Sequence, residues 1–182
     1  MDSMDGGPSM KWLIVSDTHG LKREVEELKN RYAGKVEAFI HCGDSELHAD
    51  SPEMKDYLAV EGNCDFPGAY PDEVVRQSGP LTFLIAHGHL LGVRNSPVRL
   101  IYRGLEVKAD ILCFGHTHFA GSFKENGMIG INPGSLRLPR NYKTGTYVIL
   151  DLSEDKKKIK VNYFTLKGQP VDSFSATYTW EK

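Results

Sequence analysis

The chain has 182 residues and a mass of 20.4 kDa, the size of one domain whose core can form without disulfides or a structural metal. Hydrophobic residues make up 40% and charged residues 25%, which excludes both a disordered polyelectrolyte and a supercharged surface. Lys plus Arg number 22 against 24 Asp plus Glu, a net charge of −2 that supplies no basic field for wrapping extended nucleic acid.

Residues 1–9, MDSMDGGPS, carry no apolar periodicity and precede a second methionine, Met10. They read as a disordered leader, either an extension from an upstream start or a remnant of cloning, with residues 10–182 as a single domain. No apolar run approaches the roughly 18 residues of a membrane span, and the N-terminus has no signal-peptide pattern. Cys42, Cys64 and Cys113 form no CxxC pair and are odd in number. These features point to a protein of the reducing cytoplasm that engages no membrane.

The apolar run at residues 12–15 suits a strand covered on both faces, and it leads directly into Ser16-Asp17-Thr18-His19-Gly20. Leu21, Val25, Leu28 and Tyr32 then recur at helical spacing, with Gly34 as a stop. A strand at 38–40 runs into His41-Cys42-Gly43-Asp44, which completes a βαβ unit of a mainly parallel sheet. A short strand at 57–60 leads to Glu61-Gly62-Asn63-Cys64-Asp65. Val74 and Val75 are expected to pair across Gly79-Pro80 with residues 81–86, a hairpin that ends at His87-Gly88-His89. Pro97 opens a helix using Val98, Ile101 and Leu105, although Gly104 weakens it by about 1 kcal/mol relative to Ala.

The last third reads as antiparallel. A strand at 111–114 ends at Gly115-His116-Thr117-His118, and Asn126-Gly127 turns between strands at 119–123 and 128–131. Further strands are expected at 146–150 and 159–164.

Five polar clusters each follow an apolar strand: Asp17/His19, Asp44, Asn63, His87/His89 and His116/His118. In open α/β sheets the carboxyl ends of strands line the ligand crevice, so this recurrence gathers residues remote in sequence. A lone histidine at a strand end is more often structural than ligating. Together the clusters supply nitrogen and oxygen ligands with no thiolate pair, which suits Mn, Fe, Zn or Co better than a structural zinc knot.

The ordered series SDTHG, GD, GNCD, HGH, GHTH and NPGS, the last at residues 132–135, resembles the calcineurin-like metallophosphoesterases, in particular their small single-domain bacterial and archaeal branch. The resemblance covers nearly the whole chain after Met10. It implies a four-layer α/β/β/α sandwich with two mixed sheets. It also implies a two-metal centre in which Asp17, His19, Asp44 and His118 hold one ion. Asp44 then bridges to a second ion held by Asn63, His87 and His116. Mn²⁺ is the expected metal, with Ni²⁺, Fe²⁺, Co²⁺ or Zn²⁺ as alternatives.

Two divalent ions outweigh two aspartates and a bridging hydroxide by one positive charge, enough to attract a phosphate without a basic surface. Such ions, about 3.5–4 Å apart, generate hydroxide at neutral pH and orient the phosphoryl group for in-line attack. The sequence departs from larger relatives at Cys64, where they carry a histidine able to protonate the leaving oxygen. A thiol with a pKa near 8.5 is a poor substitute. The expected activity is therefore hydrolysis of a small phosphodiester with a good leaving group, with Asp44, Asn63 and His89 as catalytic candidates and His89 the nearest replacement acid.

Asp65 is weighed as a support for the site against a turn former. Asn132-Pro133-Gly134-Ser135 is read as a supporting turn, and Arg94, Arg99, Arg137 and Arg140 as solvated charges or phosphate contacts. The alternatives are a phosphomonoesterase and a non-catalytic interaction scaffold of the same fold. A homodimer is left open, because sequence does not assign the outer faces of the C-terminal strands.

Overall fold

The computed structural model describes residues 9–182; all but the last residue of the expected leader lies outside it. Among the described residues, eleven strands form two mixed sheets. The first sheet contains β1 (Met10–Val15), β2 (Ala38–His41), β3 (Tyr57–Ala59), β9 (Thr146–Leu152), β10 (Lys158–Thr165) and β11 (Ala176–Thr179), in the order β11-β10-β9-β1-β2-β3. The second contains β4 (Glu73–Ser78), β5 (Leu81–Ala86), β6 (Ile111–Cys113), β7 (Gly121–Glu125) and β8 (Met128–Asn132), in the order β4-β5-β6-β8-β7.

Alternation along each strand divides the core into layers. Trp12 and Ile14 of β1 face Phe83, Ile85, Ile111, Cys113, Ile129 and Ile131 of the second sheet. Leu13 and Val15 point the other way, onto Val25 and Leu28 of helix α1 (Lys22–Arg31). Leu84 and Leu112 of the second sheet pack outward with Leu100 of α2 (Val98–Glu106). The result is the four-layer sandwich the resemblance implied, α1, sheet, sheet, α2.

Parallel pairing is divided between the sheets. β1, β2 and β3 run parallel in one, and β5, β6 and β8 in the other. The first sheet fits the expectation of parallel early and antiparallel late, whereas the second does not. There the chain after β6 goes first to the edge as β7 and returns as β8 to pair parallel with β6. Asn126 and Gly127 at the hairpin tip have φ of 50° and 77°, the conformation a tight two-residue turn needs.

β7 starts two residues later than expected. The Asn141 side chain takes the backbone of Ala120, accepting from its N–H at 2.9 Å and donating to its carbonyl at 2.8 Å, so this residue is withdrawn from the ladder. β11 was not anticipated, because its Ala-Thr-Tyr-Thr run has no apolar stripe and packs at the sheet edge on β10.

Gly104 is a packing requirement as well as a weak helix former. A Cβ there would lie 2.5 Å from Leu112 Cδ2 and 2.8 Å from Met128 Sδ, both in the buried layer beneath α2. Overpacking of about 1–3 kcal/mol opposes a propensity gain of about 1 kcal/mol. Gly104→Ala is expected to lose about 1 kcal/mol net, read as a lower urea midpoint at unchanged slope.

Candidate metal centre

The carboxyl ends of both parallel triplets meet at one edge of the sandwich. Asp17 and His19 follow β1, Asp44 follows β2, Asn63 follows β3, His87 follows β5, and His116 and His118 follow β6. Backbone bonds lock these loops together: Asp17 N–H donates to Gly43 O at 3.0 Å, His19 N–H to Asp44 O at 3.0 Å, and Gly115 N–H to His87 O at 3.1 Å. All seven expected ligands therefore converge. Asp17, Asp44 and His87 form a buried floor, His19, His116 and His118 are half-buried, and Asn63 and Cys64 lie exposed at the rim.

On one side of the centre, Asp17 Oδ1 is 3.1 Å from His118 Nε2 and 3.7 Å from His19 Nε2. On the other, His87 Nε2 lies 3.2 Å from Asp44 Oδ2 and 3.1 Å from Asn63 Oδ1, and His116 Nδ1 is 3.0 Å from the same Asn63 oxygen. Asp44 also groups with His19 and Cys64, so its carboxylate borders both sides.

Hydrogen bonding at the outer ring nitrogens fixes which nitrogen faces inward. His87 Nδ1–H donates to the Cys42 carbonyl at 2.8 Å, His118 Nδ1–H to the Leu138 carbonyl at 3.0 Å, and His19 Nδ1–H to Glu46 Oε1 at 2.6 Å. In each neutral ring the inward Nε2 is therefore a bare acceptor. His19 Nε2 and His118 Nε2 face each other at 3.2 Å, and His87 Nε2 faces carboxylate and amide oxygens. Where these rings are neutral, lone pair faces lone pair, a mismatch that either a proton or a metal cation between them removes. Nitrogen and oxygen donors held by outer hydrogen bonds fit a divalent transition metal.

Titration behaviour follows from the same crowding. Burial opposes protonation of His87, but the hydrogen bond to Asp44 and the charges of Asp17 and Asp44 outweigh it and raise its pKa. Burial likewise favours the neutral form of Asp17, yet His118, His87 and Ser16 together lower its pKa. Burial, then His87 and Arg94, hold His116 down at about 4.

The loops are strained where they carry these side chains. Asp17, His19, Asp44, His116 and His118 all have positive φ, between 42° and 69°. Asp and His tolerate this region better than most residues, but each still costs on the order of 1–3 kcal/mol. Two glycines permit close approach. A Cβ on Gly62 would lie 2.1 Å from Asp44 Oδ1, and one on Gly115 would lie 2.4 Å from Asp17 Oδ2.

Asp65 is both turn former and support. It is buried and accepts from the backbone N–H groups of Asp44 at 2.9 Å, Gly62 at 2.8 Å and Glu46 at 2.8 Å. The NPGS turn is also structural. Ser135 Oγ donates to the Asp17 carbonyl at 2.7 Å, and Asn132 Nδ2 donates to Thr117 Oγ1 at 2.9 Å. Arg137 donates to the His19 carbonyl, and Arg94 Nε donates to His116 Nε2 at 3.2 Å. Sequence reasoning missed Glu46 and Ser16, whose hydroxyl donates to Asp17 Oδ2 at 2.5 Å. Nothing in the polar run that contains Glu46 marks it out, whereas Ser16 lay within the quoted SDTHG motif.

His89 stands beside the centre, its ring 5.3 Å from His87 and 6.1 Å from His116. Among the described residues its Nδ1 is the one buried side-chain nitrogen or oxygen with no hydrogen-bond partner. Burial and the neighbouring His87 lower its pKa. Burial, with Asp44 and Glu46 nearby, pushes the Cys64 thiol up to about 11. Cys64 thus remains a thiol at neutral pH.

Residues 10–155 match the calcineurin-like phosphoesterase superfamily domain, and the chain belongs to that family of metal-dependent phosphoric ester hydrolases. It is 44% identical over 170 residues to the probable metallophosphoesterase YsnB of Bacillus subtilis, covering 93% of this chain and 99% of the relative. It is 32% identical over 169 residues to the phosphodiesterase YfcE of Escherichia coli, covering 78% of this chain and 88% of that protein. A conserved Streptococcus pneumoniae protein, described as a predicted phosphoesterase, superposes with a TM-score of 0.90 at 31% identity over 96% of this chain and 99% of its own. Vacuolar protein sorting 29 of Cryptosporidium parvum shares the fold, with a TM-score of 0.72 at 21% identity over 97% of this chain and all of its own.

Two outcomes test this geometry. Asp65→Ala removes the acceptor of three backbone N–H groups, two of them from residues that are themselves buried. It is expected to cost about 3 kcal/mol in urea unfolding and on the order of tenfold or more in divalent-metal affinity by calorimetry. A cation taking the His87 Nε2 lone pair must displace the proton that this raised pKa retains. Metal uptake should therefore release protons, and affinity should rise with pH through and above the ordinary imidazole range, seen by calorimetry in buffers of different ionisation enthalpy.

Proposed function

We propose that this protein is a dinuclear, divalent-metal-dependent phosphodiesterase acting on a small phosphodiester in the cytoplasm. The observation that carries the reading is the convergence of imidazole nitrogens and carboxylate oxygens on either side of the buried Asp44 carboxylate. Asp17, His19, Asp44 and His118 would hold one ion, and Asp44, Asn63, His87 and His116 the other. Mn²⁺ is the metal we favour for this nitrogen and oxygen set, with Ni²⁺, Fe²⁺, Co²⁺ and Zn²⁺ as competitors.

When bound, two such ions supply hydroxide at neutral pH and neutralise charge in the five-coordinate transition state. The protein's own part is positional. Asp44 joins the two sides, Asn63 contributes a neutral oxygen at the solvent-facing rim, and the outer carbonyls at Cys42 and Leu138 aim two imidazoles. Cys64, at the rim beside Asn63, leaves the position of a proton donor to the leaving group weakly filled. His89 is the remaining imidazole close enough to take that part.

A diester carries one negative charge and, with an activated leaving group, needs little proton donation. This favours diesters over the dianionic monoesters that would otherwise suit the same centre. YfcE, named a phosphodiesterase, supports the same substrate class. A non-catalytic scaffold, as the fold shared with vacuolar protein sorting 29 would allow, has no need of a complete set of seven ligand-type side chains.

Asp44→Asn keeps the volume and removes a charge shared by both sides. It is expected to reduce metal stoichiometry and to lower turnover by on the order of 10³-fold, with a much smaller change in thermal unfolding. Retained stoichiometry and turnover at saturating Mn²⁺ would defeat the bridging role. Cys64→Ala should keep most of its kcat/KM for an aryl diester, in reductant and without it. Cys64→His should improve an alkyl monoester relative to the parent. Complete loss in Cys64→Ala with metals retained would assign the thiol a direct part, and a parental preference for monoesters would overturn the substrate class.

A further inference from the structure

We propose that Arg94 is a clamp for the substrate's phosphate that is parked on His116 and released when a cation occupies that imidazole. The proposal rests on the reading of His116 as a metal ligand. His116 differs from the other imidazoles of the centre in what its outer nitrogen meets. The outer nitrogens of His87, His118 and His19 face acceptors: two backbone carbonyls and the Glu46 carboxylate. When neutral, these rings are held in the tautomer that leaves the inner nitrogen bare. The outer Nε2 of His116 faces a donor, Arg94 Nε, at 3.2 Å.

A guanidinium has five N–H donors and no acceptor. With Arg94 donating to it, His116 Nε2 must be the bare nitrogen, and the ring proton sits on Nδ1, where Asn63 Oδ1 accepts it at 3.0 Å. This is the opposite of what ligation through the inward Nδ1 requires. Nδ1 then gives its proton to solvent and Nε2 takes one up, so the ring stays neutral and no net proton is exchanged. The Arg94 N–H and the new Nε2–H now point at each other, and the contact cannot persist.

The loop that carries Arg94 restricts what can move. Val93 is buried, its N–H bonded to Gly88 O at 3.3 Å, and Asn95 N–H is bonded to Gly92 O at 3.0 Å. The backbone stays in place and the exposed side chain swings. It leaves beside the half of the centre formed by Asn63, His87 and His116. The acceptor that a phosphoester brings there is a non-bridging oxygen, which the planar fork of Arg matches in geometry and charge. Arg137 has no such release, since its partner is the His19 carbonyl, an acceptor that ligation of the ring leaves unchanged.

The arrangement predicts effects of opposite sign on two ligands. Calorimetry on metal-free protein should give Arg94→Ala about fivefold tighter Mn²⁺ binding than the parent, because no hydrogen bond has to be broken. On the Mn²⁺-loaded protein, inorganic phosphate should bind the same variant about tenfold more weakly, with Arg94→Lys recovering part of the loss. A merely structural arginine would weaken both. Unchanged or weaker Mn²⁺ binding by Arg94→Ala, or phosphate affinity within twofold of the parent, overturns the clamp while leaving the metal centre intact. Failure of the parent to bind Mn²⁺ at all overturns both the clamp and the metal-centre reading.

Discussion

The structure turns on the burial of Asp17. Its carboxylate is fully excluded from solvent at the seam between the two sheets, a position that would be prohibitive for an uncompensated charge. Compensation comes from both sheets at once. Ser16 Oγ beyond β1 and the His116 backbone N–H beyond β6 donate to Oδ2, while the inner nitrogens of His118, His19 and His87 lie within 4 Å of Oδ1 and compensate it when they carry a proton. The carboxylate therefore acts as a cross-link between β1 of one sheet and β6 of the other. Neither sheet can shift along the seam without exposing it or stripping its donors.

The same seam concentrates strain. Five of the converging residues hold positive φ, and three inner ring nitrogens face other acceptors. Strain of this kind persists only where surrounding structure over-determines it. Here the determinants are Asp65 under the Asp44 loop, Ser135 under Asp17, and the buried His41. Burial pushes that imidazole down to about 4, and it bonds to both Thr18 Oγ1 and Gly43 N–H. His41 and Asp65 carry the loops, while the residues they carry face the centre.

Much of this was legible in the sequence because each ligand candidate sits immediately beyond an apolar run. The alternation of Trp12, Leu13, Ile14 and Val15 fixes a strand with two buried faces, and the polar residues that follow must emerge at its carboxyl end. The Asn126-Gly127 turn and the hairpin ending at His87 were readable for similar local reasons. What escaped was non-local. The parallel insertion of β8 beside β6 depends on which edge the preceding strand takes, and the delayed start of β7 depends on Asn141, twenty-one residues from Ala120. Glu46 supports His19 from a loop with no pattern of its own. Asp65 was weighed for two roles because its three partners are backbone groups, which sequence does not distinguish.

The distribution of support also explains how folding and metal chemistry can be separate properties of this chain. The hydrophobic layers between the sheets and beneath both helices are contiguous and owe nothing to the centre. The seam is different, since its inner nitrogens and carboxylates are crowded together in an arrangement that would suit a cation. A cation bound there relieves repulsion that exists only in the folded state, so its binding energy adds to stability by mass action. Protonation of His87 relieves part of the same repulsion, which makes proton and metal competitors for one lone pair. The centre is thus pre-organised at a cost that the two-sheet core is large enough to carry, and on the metal-centre reading the residual mismatch would be the source of its affinity.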